Sequence, residues 1–342
     1  MNNRLGAVAI GRNEGERLRG CLASLVGGAT WVVYVDSGST DGSVALARDM
    51  GVLVTELDRA LPFTAARARN AGFSRLSEAA PDLELVQFVD GDCEVVAGWL
   101  ERAEREIAAD PTLAVVCGRR RERYPDKSLY NRLCDIEWDT PVGPAEACGG
   151  DALMRVEAVR AAHGYDPSLI AGEEPDLCLR MRRLGWKILR ADGEMTVHDV
   201  AMTRFGQWWK RALRAGHAYA EGAAHHGGGP ERYFEKEVRS NWIWGLVVPA
   251  VAIGLAPATA GVSLGLLASY ALLGARIYRT ARRRGLSRYD ARLTALFCVI
   301  GKLPQALGQA LFWTRRITNR NGGLIEYKDS ATDASPSSRR LG

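Results

Sequence analysis

Two carboxylates one residue apart, Asp90-Gly-Asp92, leave an apolar run Leu85–Val89. Acids placed so, on the turn that ends a strand, can share a hard divalent cation such as magnesium or manganese; an ordinary Asp-Gly turn is the other reading. A second acid, Asp36, ends the run Trp31–Val35, where it can accept hydrogen bonds from a base or ribose. Asp41, five residues on, reads as a helix cap. Glu14 in Arg12-Asn13-Glu14 follows the first apolar run and opens a helix, so it serves either a ligand or the helix start. Arg69 and Asn70, in Arg67-Ala-Arg69-Asn70-Ala-Gly72, offer a guanidinium that can pair bidentately with phosphate. Glu173, Glu174 and Asp176 crowd a helix start, where they form either a dipole-stabilised N-terminus or, with like charges raising a pKa, a general base. His198 stands after a strand-like run, and Arg211 ends Gln207-Trp208-Trp209-Lys210-Arg211, which can pair with phosphate or lie at a membrane surface.

The elements that must position these residues are read from periodicity. Leu5–Ile10, Trp31–Val35, Val52–Thr55, Leu85–Val89 and Ala114–Gly118 are short apolar runs expected as strands. Between them lie expected helices, with Leu18, Cys21, Leu22 and Leu25 on one face, an alanine-rich stretch Thr64–Leu76 that Thr64 can cap, and Val95–Ala109. Alternating β-α-β of this kind predicts a doubly wound, mostly parallel sheet, with ligands beyond the carboxyl ends of its strands. Arg119–Asp199 is less regular. It holds a turn at Gly149-Gly150, then Ala152–Met154, a helix over Pro175–Leu184, a strand over Trp186–Arg190, and an amphipathic helix from Phe205 to His217.

Charge divides the 342 residues sharply. Met1–Val200 has 24 Lys/Arg against 32 Asp/Glu, and Ala201–Gly342 has 21 against 8, so a net −8 is joined to a net +13. A uniformly basic nucleic-acid binder is disfavoured, because the positive charge does not lie on the expected folded domain. From Trp242 to Ala275 there are 34 residues without a formal charge. As one helix they would run about 50 Å, against about 30 Å of bilayer hydrocarbon. Pro257 near the middle suggests a break into two short membrane helices. Arg276 to Arg292 carries seven arginines against Asp290 alone, which the positive-inside rule places on the cytoplasmic side. The second apolar stretch, Leu293–Trp313, is interrupted by Lys302 and Pro304 and is expected as re-entrant or interfacial. The domain reading is therefore a catalytic region over 1–220, a linker over 221–240, membrane-associated helices over 241–316 and a polar, disordered tail over 317–342. Seven scattered cysteines with no C-x-x-C argue against zinc or a disulfide framework. Leu5–Ile10 is too short for a secretory signal, so the first domain is expected to stay in the cytoplasm.

Taken in order, Ala9-Ile10-Gly11-Arg12-Asn13-Glu14, Asp36–Ser43, Arg69-Asn70-Ala-Gly72, Asp90-Gly-Asp92, Gly149-Gly150, Glu173-Glu174-Pro-Asp176 and His198 resemble family-2 glycosyltransferases of the GT-A fold, over Leu5 to Gly216. The resemblance implies a nucleotide-diphospho-sugar donor, Mg2+ or Mn2+, and inversion at the anomeric carbon. It implies that Glu14 and Asp36 hold the nucleoside, that Asp90 lies near sugar and ribose, and that Arg69, Asn70 and Arg211 complete the donor site. Asp92 would bind the metal, His198 the metal or diphosphate, and Glu174 or its neighbour Glu173 would be the base. Gln207–Arg211 is only loosely similar to the Q-x-x-R-W motif of processive synthases, since no Arg-Trp ends it. A membrane-attached enzyme of this kind is expected to take a lipid-linked acceptor or polysaccharide precursor at the cytoplasmic membrane, with no nucleic acid involved. The alternatives are a sugar-phosphate nucleotidyltransferase, although only Gly11 stands where a Gly-rich loop would be, and a non-enzymatic nucleotide-sugar sensor.

Overall fold

A computed structural model describes residues 4–318; of the tail expected as disordered over 317–342, Ile317 instead ends the last helix and Thr318 caps it, and the rest, with Arg320, lies outside the described residues. Strands β1 (Leu5–Gly11), β2 (Trp31–Asp36), β3 (Leu53–Glu56) and β4 (Leu85–Asp90) are linked by helices α1 (Glu16–Leu25), α2 (Ser43–Asp49) and α3 (Ala65–Ala79). They form the parallel part of the sheet, in the order β3-β2-β1-β4. Thr64 caps α3 as its position predicts, its hydroxyl accepting from the Arg67 amide. The registers pair Gly11 with Asp36 and Ile10 with Asp90, so both acids stand at one end of the sheet. Leu18, Cys21, Leu22 and Leu25 are all buried. Six of the seven cysteines are buried, as small hydrophobes should be, and only Cys298 is exposed.

The mostly parallel expectation is corrected beyond β4. The chain continues through β5 (Cys93–Val95), α4 (Trp99–Ala109), β6 (Leu113–Glu122), α5 (Leu129–Glu137), β7 (Gly143–Pro144), β8 (Ala152–Arg155), α6 (Val156–Ala161), α7 (Glu173–Arg183) and β9 (Lys187–His198). Strand β8 enters antiparallel between β4 and β6, while β5 and β7 both pair antiparallel with β9. Only β6–β9 adds a parallel pairing, so the sheet is mixed. The helix expected from Val95 starts at Trp99, because Gly98 takes a left-handed φ of 80° and Cys93–Val95 is drawn into the sheet. Strand β9 runs to His198 rather than ending near Arg190. Its polar Asp192-Gly193 hides the continuation, and the register slips against β6 in that region.

The C-terminal part is helical. Helix α8 (Phe205–His226) continues nine residues past its expected end, shortening the linker, and α9 (Glu235–Trp242) passes through a π-helical turn, Ile243–Val247, into α10 (Val248–Gly254). A turn containing Pro257 then leads to a 3-10 segment, Val262–Ala268, and to α11 (Ser269–Arg283), α12 (Arg288–Ile300) and α13 (Lys302–Ile317). The break at Pro257 is where the sequence places it. Among the described residues one helical stretch, Arg288–Ile317, is long and apolar enough to cross a membrane, yet 44% of its most apolar window is buried in the fold. The reason is close packing of α13 on α8. A Cβ on Gly216 would lie 2.0 Å from the Gln305 carbonyl oxygen, and one on Gly308 would lie 2.0 Å from that of Leu213.

Alanine at Gly308 would gain about 0.5–1 kcal/mol in helix propensity. Overpacking costs about 1–3 kcal/mol, and here the atoms struck are backbone that cannot turn aside. Gly308→Ala is therefore expected to lower the midpoint of chemical denaturation, with the dependence on denaturant concentration unchanged.

Candidate active site

The loops after β1, β2 and β4 are tied together before any ligand arrives. The Ser37 amide donates to the Gly11 carbonyl and the Gly91 amide to that of Ile10. Asn13 accepts from the Thr40 amide at 2.7 Å, and Asp41 accepts from the amides of Gly15 and Ser43. Asp36 is buried, and its carboxylate accepts from the Gly38 and Ser39 amides, both at 2.8 Å, and from the Tyr34 hydroxyl at 3.0 Å. The job visible here for Asp36 is thus to shape its own loop. Glu14 lines a cavity of about 280 Å³ beyond these strand ends and is paired with Arg17 at 2.8 Å.

Asp90, Asp92, His198 and Arg211 line the same cavity, so with Glu14 the structure brings together residues up to 197 positions apart. Strand pairing explains how. Cys93 on β5 is in register with His198 at the end of β9, which sets Asp92 beside the imidazole, with Nε2 of His198 2.9 Å from Oδ2 of Asp92. Both side chains are buried. Burial, then the nearby Arg120 charge, pulls the His198 pKa down to about 4, leaving a neutral ring. Its Nδ1 is buried without a hydrogen-bond partner.

Ligand atoms of Asp92, Cys93 and His198 lie within 4.8 Å of one another, and so do those of Asp90, Cys93 and Asp151. The second group is the poorer place for a cation, since Arg120 already pairs with Asp151 at 2.8 Å and Asp90 at 3.2 Å. Cys93 is a fully buried thiol whose pKa burial raises well above its usual value, so it stays protonated and is a weak ligand. Asp92 and neutral His198 are the donor set that fits a divalent ion.

Arg69 does not itself line the cavity, and neither do Glu173 and Glu174; Asp90 links them to it. Arg69 is 2% exposed and reaches Asp90 at 2.8 Å, Glu173 at 2.7 Å and Glu174 at 3.2 Å, with its plane against the Tyr165 ring. Gly150 makes room for this knot, because a Cβ there would lie 2.6 Å from both the Arg69 guanidinium and the Asp90 carboxylate. Asp90, Asp151, Glu173 and Glu174 pair with Arg69 and Arg120. The excess of negative charge shows in Glu174, whose pKa burial and Glu173 push up to about 7, with Arg69 opposing them. A carboxyl so tuned exchanges protons near neutral pH, which suits a general base.

Asn70 does not join the site. Its amide donates to the Tyr165 carbonyl at 2.7 Å and accepts from the Tyr165 amide at 2.9 Å, so it fastens α3 to the segment before α7. Arg211 lies on the cavity wall, held bidentately by Glu137 at 2.8 Å. Sequence reasoning missed Arg120, Asp151 and Trp138. Asp151 is wholly buried, accepts from the Asp90 amide at 3.0 Å and the Thr196 hydroxyl at 2.7 Å, and anchors Arg120. Trp138 packs against the His198 ring, with centroids 4.8 Å apart, and against Arg120. Asp151 follows the Gly149-Gly150 turn directly, a signal that was open to use; Arg120 and Trp138 carried none.

Known proteins agree with this geometry. The family model for glycosyl transferase family 2 matches residues 9–152. A pre-mycofactocin glycosyltransferase of Mycobacterium tuberculosis is 27% identical over 83% of this chain and 59% of its own length. The succinoglycan biosynthesis protein ExoA of Rhizobium meliloti is 27% identical over 54% of this chain and 57% of its own. The chain thus spans about three fifths of the length of these curated relatives. A mannosyltransferase of Pyrobaculum calidifontis, solved with GDP-Man and Mn2+, superposes with a TM-score of 0.57 at 20% identity, covering 89% of this chain and 87% of that one. Its likeness establishes the fold, a mixed α/β sheet of GT-A type. Residues 9–152 match the glycosyl transferase family 2 model, and the class of enzyme that this match and the relatives point to is a glycosyltransferase.

Proposed function

We propose that this chain transfers a sugar, with inversion, from a nucleotide-diphospho-sugar to an acceptor hydroxyl, using Mg2+ or Mn2+ and working at the cytoplasmic face of the membrane on a lipid-linked acceptor or polysaccharide precursor. The observation that carries the reading is the Arg69 knot, which ties Asp90, on the cavity lining, to the acid pair Glu173-Glu174. The relatives' names, a glycosyltransferase and a polysaccharide biosynthesis protein, are of the same class. The mannosyltransferase of the same fold carries a nucleotide sugar and Mn2+, the kind of donor and ion assigned here.

In this reading Glu174 takes the proton of the acceptor hydroxyl. The acceptor oxygen bonds to the anomeric carbon from one face as the bond to the diphosphate oxygen breaks on the other. Arg69 fixes the direction of the base and keeps enough of it ionised. Arg120, Arg211 and Arg214, all on the cavity wall, offset charge on the leaving diphosphate. Asp92 and His198 would hold the divalent ion, which when bound supplies Lewis-acid stabilisation of that diphosphate.

Purified protein given a panel of nucleotide sugars and metal is expected to release nucleotide diphosphate from one class of donor, and no release from any would overturn the reading. Asp92→Ala should abolish metal-dependent transfer in a folded protein. Glu174→Gln should cut turnover about 10²–10⁴-fold with donor affinity retained. If Glu173→Gln does this instead, the base is Glu173.

The pH dependence has a definite sign. A base with its pKa near 7 works deprotonated, so kcat/KM should rise with pH through neutrality and then level. Arg69 lowers the Glu174 pKa, so Arg69→Gln should move that limb to higher pH, and Arg69→Lys, which keeps the charge, should leave it nearly in place. The same raised pKa means that folding takes up a proton between about 4.5 and 7, so this group's contribution to stability is lost as pH rises through that window.

A further inference from the structure

We propose that the turn formed by α10 and the 3-10 segment seats this chain in a single leaflet of a bilayer containing anionic lipid, without crossing it. The inference refines the membrane placement proposed above and does not depend on which reaction is catalysed.

Residues 248–268 hold no formal charge and display their apolar side chains. Ile253 is 63% exposed, Val262 79%, and Leu255, Leu264 and Leu266 close to half. Side chains of this size in one contiguous turn mark a surface meant to be covered. The turn's hydroxyls are already satisfied without water. The Ser263 hydroxyl donates to the Ala252 carbonyl at 2.7 Å, Thr259 to Leu255 at 2.8 Å, and Ser269 to Leu266 at 2.5 Å. The Ser263 amide donates in turn to the Thr259 hydroxyl. Polar groups closed on themselves in this way suit hydrocarbon, where an unpaired one costs several kcal/mol.

Depth follows from where the fold lets go of the hairpin. The π-helical turn is still packed on α13, since a Cβ on Gly245 would lie 2.2 Å from the Lys302 carbonyl oxygen. Beyond it α10 has seven residues, about 10 Å of helix. Hydrocarbon is about 30 Å thick and a crossing helix needs about 20 apolar residues, so the free turn reaches into one leaflet only.

The charge pattern names the lipid. No Asp or Glu occurs between Glu237 and Asp290. Along α11 the apolar start gives way to exposed Arg276, Arg279, Arg282 and Arg283, and Arg284 follows. The first of these stands seven residues after Ser269, again about 10 Å along the helix. The arginines therefore lie beyond the free turn, on the headgroup side when it is buried, where each near the surface is worth about 1 kcal/mol against anionic lipid.

The test uses the full chain and sealed vesicles of phosphatidylcholine, with or without phosphatidylglycerol. Binding is expected to be stronger with phosphatidylglycerol, and Leu264→Asp with Leu266→Asp should weaken it at least about tenfold. A fluorophore reducible by dithionite is placed at the tip through Ala258→Cys in a Cys298→Ser background. In the bound protein it should be quenched by nitroxide lipid and protected from dithionite both outside and trapped in the lumen. Bleaching by lumenal dithionite would mean a crossing, and bleaching from outside in the bound protein would mean no insertion; either overturns the proposal, as does the absence of vesicle binding. Nucleotide release in detergent is measured on the same preparations, so that a failure of the transferase reading is seen separately.

Discussion

Arg69 has almost no contact with water, and three carboxylates from two other elements converge on it. It projects from α3, Asp90 ends β4, and Glu173 and Glu174 open α7. Leaving a buried charge without its partner costs about 3–5 kcal/mol, so these three elements are held in one arrangement by mutual need. Gly150 is the steric condition for that arrangement and Asn70 its fastening one residue away, through the backbone of Tyr165. The side chain that positions the Glu173-Glu174 pair is thereby the one that positions the first acid of the Asp-Gly-Asp turn.

The rest of the site depends on the sheet's change of direction. Four parallel strands deliver loops to one edge, and the antiparallel entry of β8 and β5 then delivers Asp151 and Asp92 to the same place from the other side. Asp151 steadies the Asp90 amide and Arg120, Arg120 steadies Trp138, and Trp138 covers His198. Around Arg69 and Arg120 the four carboxylates Asp90, Asp151, Glu173 and Glu174 outnumber the guanidiniums, and crowding of this kind raises the proton affinity of Glu174.

Much of this was legible in residue order, and the part that was not has a physical reason. Apolar runs ending in acids marked β2 and β4, because buried parallel strands cannot alternate with polar residues. Thr64 and the alanine-rich stretch marked α3. Asp90, Asp92, His198 and the Glu173-Glu174 pair became candidates through their order along the chain and its family resemblance, since each alone also reads as an ordinary turn, helix start or structural histidine. The antiparallel half was opaque, since β5 has three residues, β7 has two, and β9 carries an Asp-Gly inside it. Arg69 looked like a phosphate ligand, and nothing local reveals that its partners lie 104 and 105 residues away. Asn70 looked like a ligand-binding amide for the same reason. In the helical region, the expectation of two membrane-crossing helices over Trp242–Ala275 finds no candidate span there among the described residues, and only packing distinguishes the part held by α13 from the part left free.

The pairing of β5 with β9 has a consequence for synthesis. Asp92 leaves the ribosome early and the residue it meets, His198, 106 positions later, after β8 and α7 have been made. A nascent chain ending near residue 152 has most of the parallel core and none of Glu173, Glu174, His198 or Arg211. It can therefore collapse into a stable α/β core while still unable to assemble the centre. The Asp92–His198 pair can form only once β9 has been made, when the helices from α8 onward are still to come.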